Sequence, residues 1–153
     1  MVECCPEFKP ETLDGKTLEY SDKLFVKEHS VALFHIPLGI GPAMVRALEK
    51  INSAGALVPD ATALFSEKSM WGTDIYIEVK KDVPGAKMER ISGTFMTKVF
   101  VGDYKDVPKW IKEMEAYLAG KGKTMKDLYM NYRYCPKCAK KFGKNYVVLF
   151  AKV

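Results

Sequence analysis

The feature that most constrains this 153-residue chain is a succession of strands and a helix that occurs twice. In the first half, an apolar run at 29–39 precedes a stretch of helical periodicity at 41–55 and two β-rich runs, ATALFSE and WGTDIYIEV. In the second half, ISGTFMTKVFVG precedes a similar stretch at 103–122 and the runs KDLYMNYRY and NYVVLFAKV. Strands and helices differ in their hydrophobic period, so the order β-α-β-β is predicted twice.

Both predicted helices have an apolar stripe and residues that suit helix ends. The first stripe consists of Met44, Ala47, Leu48 and Ile51, and the second of Val107, Ile111, Met114 and Leu118, flanked by Trp110 and Tyr117. Pro42 and Pro108 suit first turns, and Asp106 suits an N-cap. Gly55, Gly120 and Gly122 suit the positions after the last turn.

The predicted fold class is α+β, with duplicated βαββ modules that form an antiparallel sheet with two helices on one face. A single domain would span 1–153, with a lead-in at 1–28, the first module at 29–82 and the second at 90–153. A groove between the two helices is the predicted ligand pocket. Two further echoes favour duplication. Gly39 and Gly102 each close a first strand, and TDIY (73–76) and KDLY (126–129) share an acid-aliphatic-Tyr order.

Composition narrows the classes of function. No apolar run approaches the roughly 20 residues of a membrane span, and the N-terminus lacks the pattern of a secretory signal, so we expect a cytoplasmic protein with reduced cysteines. The net charge is +5, but the lysines are spread along the chain and no DNA-reading motif accompanies them. We therefore expect neither nucleic acid nor a membrane as partner.

The run FMTKVFVGDYKDVPKW, followed by a strand with acid-aliphatic-Tyr, resembles the second half of GyrI-like small-molecule-binding domains. Gly102 and Tyr104 match that family's Gly-x-Tyr, and Asp127, Leu128 and Tyr129 match its Glu-aliphatic-Tyr with Asp in place of Glu. The resemblance covers residues 29–153. It implies two βαββ modules with a pocket between their helices, and a stand-alone member because no helix-turn-helix fits before residue 29.

The resemblance also implies a function. Family ligands are planar, aromatic and often cationic, held by stacked aromatic rings and a carboxylate, and no cofactor is expected. The main hypothesis is a multidrug-binding protein, with a role in drug resistance as its extension. The alternative is a hydrolase of cyclopropane-containing, DNA-alkylating natural products that uses the same pocket. A module that binds a protein partner through the groove is a third hypothesis.

Aromatic and acidic side chains supply the candidate site, because ring faces attract cations and burial raises a carboxyl pKa. The candidate ligand-binding residues are Phe34, Trp71, Tyr76, Glu78, Phe100, Tyr104, Trp110, Asp127, Tyr129 and Tyr132. The candidate catalytic residues are Asp127, Glu78 and Tyr129, with a carboxylate orienting water and a tyrosine assisting the leaving oxygen. The strand phenylalanines also suit plain core, and both carboxylates also suit an exposed strand face.

Strand alternation divides these candidates. Asp74, Tyr76 and Glu78 share one face, whereas Tyr129 and Tyr132 lie on opposite faces of one strand. The family match favours the face of Asp127 and Tyr129 for the pocket, and the apolar pattern favours the opposite face as core.

The cysteines offer a weaker signal. Cys135 and Cys138 have the spacing of half a zinc site, but Cys4 and Cys5 are adjacent and suit a chelating pair poorly. A turn with reduced thiols is the preferred interpretation, with metal binding and redox chemistry as alternatives. His35, between Phe34 and Ile36, suits a core histidine better than a catalyst.

Overall fold

A computed structural model describes residues 8–33, 36–37, 40–58, 61–66, 72–102, 104–133 and 140–153. The strands are β1 (Thr17–Leu33), β2 (Ile36–Pro37), β3 (Ala63–Ser66), β4 (Gly72–Glu78), β5 (Lys87–Val101), β6 (Asp127–Tyr132) and β7 (Tyr146–Lys152). The helices are α1 (Ile40–Ser53) and α2 (Val107–Ala119), and short 3-10 turns lie at Pro10–Thr12 and Tyr104–Asp106. The predicted α+β class with antiparallel strand pairs is confirmed.

The chain divides into two compact units, one of Tyr20–Ser92 and one of Met1–Glu19 with Gly93–Val153. In the unit Tyr20–Ser92, β4 pairs with β1 on one side and with β3 on the other, and β2 pairs with β1. In the second unit, β7 pairs with both β5 and β6. In these pairings β4 lies between β1 and β3, and β7 lies between β5 and β6.

The two acid-aliphatic-Tyr motifs lie in β4 and β6 and occupy different positions within those strands. TDIY lies inside β4, whereas KDLY begins one residue before β6. The duplication of a βαββ module stays a prediction.

Strand β1 begins at Thr17, twelve residues before the predicted start at His29. The many charges of 1–28 predict a lead-in, which is wrong for the segment 17–28. Phe25 and Val26 are nevertheless fully buried, and charged neighbours find partners across the strands. Lys23 lies 3.1 Å from Glu78, and Glu19 accepts a hydrogen bond from Thr94 at 2.8 Å.

The two helices bury a stripe close to the predicted one. In α1, Ala43, Ala47 and Ile51 are buried, while Leu48 is 39% exposed, so the buried face is rotated by about one position from the prediction. In α2, Met114 and Leu118 are buried as expected, and Trp110 joins them. The Trp110 ring stacks on Phe100 of β5, with centroids 5.5 Å apart and planes inclined by 19°.

Candidate functional site

The polar site lies on one face of the β1 and β4 pair, in the unit Tyr20–Ser92. The strand register sets Lys27 opposite Tyr76 and His29 opposite Asp74. Opposed residues of an antiparallel pair point to the same side of the sheet. The opposite side is the one towards α1, because Glu28 there lies 3.6 Å from Arg46 of that helix. We call the side with Lys27, His29, Asp74 and Tyr76 the β1–β4 face.

His29 and Asp74 form the central pair of this face. Nδ1 of His29 lies 3.0 Å from Oδ1 of Asp74, and the two side chains are 62% and 36% exposed. A carboxylate that accepts the Nδ1 proton fixes the imidazole tautomer and leaves Nε2 to take a proton from a reactant. The pair therefore has the geometry of a general base that water and small molecules can reach.

Gly72 makes room for the imidazole. A Cβ atom built on Gly72 would lie 2.3 Å from Cε1 and 2.7 Å from Nε2 of His29. These distances are far below van der Waals contact, so any side chain at position 72 would displace the ring. The position of His29 thus depends on β4 as well as on its own strand.

Lys27 and Tyr76 lie beside the pair. Nζ of Lys27 is 3.9 Å from Oδ2 of Asp74 and 5.6 Å from the centroid of the Tyr76 ring. Burial alone would lower the pKa of Lys27, but the Tyr76 phenol and the Asp74 carboxylate outweigh it, and the net pKa is raised. Burial raises the pKa of Tyr76, against the opposing effect of Lys27. At neutral pH, Lys27 is therefore charged and Tyr76 is protonated, so both can donate a proton.

Glu78, a sequence-based candidate for catalysis, is engaged at both of its oxygens. Oε1 accepts a hydrogen bond of 3.0 Å from the backbone N–H of Thr62, and Oε2 lies 3.1 Å from Nζ of Lys23. Burial, with a smaller contribution from Glu78, raises the pKa of the nearby Tyr20 to about 12. These contacts make Glu78 an anchor for β3 and β1 more than a base for a reactant.

A depression of about 430 Å³ adjoins the His29–Asp74 pair. It is lined by Lys27, His29 and Asp74 of the β1–β4 face, by Glu28 and Lys50 from the side of α1, and by Gly85 and Lys87. Its volume falls within the range of small-molecule sites, roughly 300–1,000 Å³. The site therefore combines a general base, proton donors and space for a small molecule within one unit.

The second unit holds the other predicted pair, Asp127 and Tyr129. The Tyr129 hydroxyl donates a long hydrogen bond of 3.4 Å to Oδ2 of Asp127, whose Oδ1 accepts the N–H of Leu128 at 2.8 Å. The Tyr129 ring lies 6.0 Å from that of Phe95. The acid and the tyrosine of the acid-aliphatic-Tyr motif thus contact each other, although their hydroxyl–carboxylate bond is long.

The register of β5, β6 and β7 assigns the two faces of the strand that alternation left open. Tyr132 and Phe100 both oppose Val147, so Tyr132 lies on the side of the sheet where Trp110 of α2 stacks on Phe100. Asp127 and Tyr129 lie on the opposite side. Phe100 and Trp110 form apolar core between strand and helix, because both are nearly buried and stack on each other.

Several predicted residues lie outside what the structure describes. These are Phe34, His35, Trp71, Cys135 and Cys138, together with the side chain of Tyr104. Within the described ranges, no three His, Cys, Asp or Glu side chains are grouped as a metal site would require. Neither α1 nor α2 is long and apolar enough to cross a bilayer.

Sequence reasoning missed His29 as a base and Lys27 beside it, because both fell at the edge of the supposed lead-in. The available signal was the alternation of KEHS, which sets Lys27 and His29 on one face and Glu28 and Ser30 on the other. The identity of the opposing strand, and with it Asp74, was not readable from that alternation.

Comparisons with known proteins agree on one class. A family model described as bacterial hydrolase matches residues 1–153. A crystal structure of a hydrolase from Listeria innocua superposes with a TM-score of 0.59 at 12% identity, covering 91% of each chain. A second hydrolase structure from the same organism gives 0.57 at 12% identity, again over 91% of each chain. At this identity the two structures show a shared fold alone, and no curated protein matches.

Proposed function

The chain belongs to the bacterial hydrolase family, and from that premise we propose that it adds water to small organic electrophiles with His29 as the general base. The observation that carries the proposal is the 3.0 Å contact between His29 and Asp74 on an accessible face beside a depression. The hydrolase was the alternative hypothesis from sequence, and the family match supports it better than the multidrug-binding protein.

The reaction needs a base, a path for the proton and an acid. Nε2 of His29 takes a proton from water while Asp74 stabilises the imidazolium that forms. The water oxygen attacks the electrophilic carbon, and the electron pair of the broken bond moves to the leaving atom. Tyr76 or Lys27 then donates a proton to that atom, since both hold theirs at neutral pH.

The substrate class that we propose to test first is the strained cyclopropane of DNA-alkylating natural products, as the family resemblance suggests. Opening the ring by water forms a C–O bond, breaks a C–C bond and delivers the electron pair to a conjugated carbonyl oxygen. Such a reaction requires a base and an acid and no covalent intermediate, which suits the groups on the β1–β4 face.

Binding of planar cations, the main hypothesis from sequence, has less support. Nζ of Lys27 lies over the Tyr76 ring and Nζ of Lys23 lies 4.8 Å from the centroid of the Tyr20 ring. A cationic ligand would have to displace these ammonium groups to use the same ring faces. The extension to drug resistance stays a prediction.

The test is hydrolysis of a cyclopropane substrate in water enriched in heavy oxygen, with the product analysed by mass spectrometry. We expect label at the opened ring carbon, and a loss of rate of about 10²–10⁴-fold in His29→Gln. Asp74→Asn should also be slow because the imidazole loses its orienting carboxylate. Asp82→Asn, an exposed carboxylate of the same unit, is the matched control and should keep the wild-type rate.

Two results would contradict the proposed location of the site or the proposed reaction. A wild-type rate in His29→Gln together with inactivity of Asp127→Asn would assign the reaction to Asp127 and Tyr129. Recovery of unchanged substrate after long incubation with the wild-type protein would exclude cyclopropane opening.

A further inference from the structure

The charges around the depression are unequal. Three lysines line it with His29, against two carboxylates, Glu28 and Asp74. We infer that this depression binds an anionic group of the substrate, a carboxylate or a phosphate, with Lys50 and Lys87 as its main contacts. The inference rests on the proposed function, because it assumes that the reacting bond lies at His29.

Both carboxylates of the lining already have cationic neighbours. Asp74 is 3.0 Å from His29 and 3.9 Å from Lys27. Glu28 is 3.6 Å from Arg46 of α1. Their negative charge is therefore largely compensated within the protein, and it does little to repel an incoming anion.

Lys50 and Lys87 differ from Lys27 in this respect. Both are exposed, and neither has an acidic group at ion-pair distance among the residues that the structure describes. Lys50 belongs to the last turn of α1, and Lys87 is the first residue of β5. The helix end carries partial negative charge, so the attraction for an anion comes from the ammonium groups and not from the helix.

All three lysines line the same depression. Lys27, Lys50 and Lys87 approach the depression from a strand, a helix and a second strand. Lysine has a flexible stem and can close on an anion without a fixed bidentate geometry. A depression of about 430 Å³ leaves space for an organic body next to the anionic group, within reach of His29.

Four naphthalene compounds that differ in one substituent test this inference by calorimetric titration: naphthoate, naphthyl phosphate, naphthylmethanol and naphthylmethylammonium. We expect the two anions to bind at least about 10-fold more tightly than the neutral alcohol, and the ammonium compound to bind most weakly. The ratio of the affinities for naphthoate and naphthyl phosphate shows whether the site prefers a carboxylate or a phosphate. Added salt should weaken the binding of the two anions, because the lysines that attract them are exposed.

Variants locate the site. Lys50→Gln and Lys87→Gln should each lower the affinity for naphthoate or naphthyl phosphate by about 3- to 10-fold. Lys112→Gln, which removes an exposed charge from α2, is the matched control and should bind as the wild type does. Equal affinity for all four compounds, tighter binding of the ammonium, or equal affinity in Lys50→Gln, Lys87→Gln and Lys112→Gln would overturn the inference.

The same proteins separate this inference from the proposed function. If the anions bind through Lys50 and Lys87 but His29→Gln hydrolyses as fast as the wild type, the proposed function fails while the anion site stands. If hydrolysis depends on His29 but no charge preference is found, the anion site fails alone.

Discussion

At the scale of the residue, the site depends on a glycine that lacks a Cβ as well as on the two polar side chains. His29 reaches Asp74 only because position 72 is glycine. The imidazole belongs to β1 and the carboxylate and the glycine to β4, strands that are far apart in sequence, and the TDIY motif that contains Asp74 does not point to His29. The proposed general base should therefore be sensitive to substitutions that scarcely affect stability.

We predict that Gly72→Ala lowers the rate of hydrolysis but leaves the stability of the fold almost unchanged. The new Cβ would displace the His29 ring, which is largely exposed and can rotate away, so the free energy of unfolding should change by less than about 1 kcal/mol. Hydrolysis should fall about as far as in Asp74→Asn, and the NMR signals of the His29 ring should shift. Gly120→Ala is the control, because its Cβ would meet only ordinary contacts at the end of α2. An unshifted ring with full activity would contradict the geometry of the site.

At the scale of the element, hydrophobic period predicted strands and helices well. The run at 103–122 contains α2, α1 begins one residue before the run at 41–55, and four of the predicted β-rich runs contain β3, β4, β6 and β7. The charged segment 17–28 was missed as a strand because its charges are satisfied across strands, which a single-strand pattern does not reveal. Trp110 packs against Phe100 in the core, and its role in ligand binding stays a prediction, because an aromatic residue at a helix surface suits both roles.

For the packing of α2 we predict that Trp110→Ala lowers the free energy of unfolding by about 3–5 kcal/mol, measured by urea denaturation. The indole is nearly buried and stacks on Phe100, so its removal leaves a cavity. Val45→Ala, at an exposed position of α1, should change stability by less than about 0.5 kcal/mol. Trp110→Phe, which keeps most of the packing, should leave substrate affinity unchanged. A loss of affinity without a loss of stability would restore Trp110 as a ligand contact.

At the scale of the whole molecule, three groups of one unit make stability depend on alkaline pH in the same direction. The pKa of Tyr20 is raised to about 12, and those of Tyr76 and Lys27 are also raised. As pH rises above about 10, these three groups therefore keep their protons in the folded protein after the unfolded chain has lost them. Stability should be constant with respect to these groups below about pH 10 and should fall above it.

We predict that Tyr20→Phe loses less stability than the wild type between pH 10 and pH 12. One pKa unit corresponds to about 1.4 kcal/mol, but Tyr20 is partly exposed, so the expected difference is about 1 kcal/mol. Denaturant titrations of both proteins across this range measure it. Parallel curves would show that Tyr20 ionises in the folded protein as it does in the unfolded chain.

The sequence by itself determined the helices, most of the strands, the α+β class and which residues alternate on each strand. These properties depend on residues that are neighbours along the chain, whose periods differ between strand and helix. Only the tertiary structure decided that β4 and not β3 lies beside β1, which joins His29 to Asp74 across 45 positions. It also decided that Lys50 and Lys87 line the same depression as that pair. Such choices depend on hydrogen bonds and charges between distant segments, for which a single sequence contains no local signal.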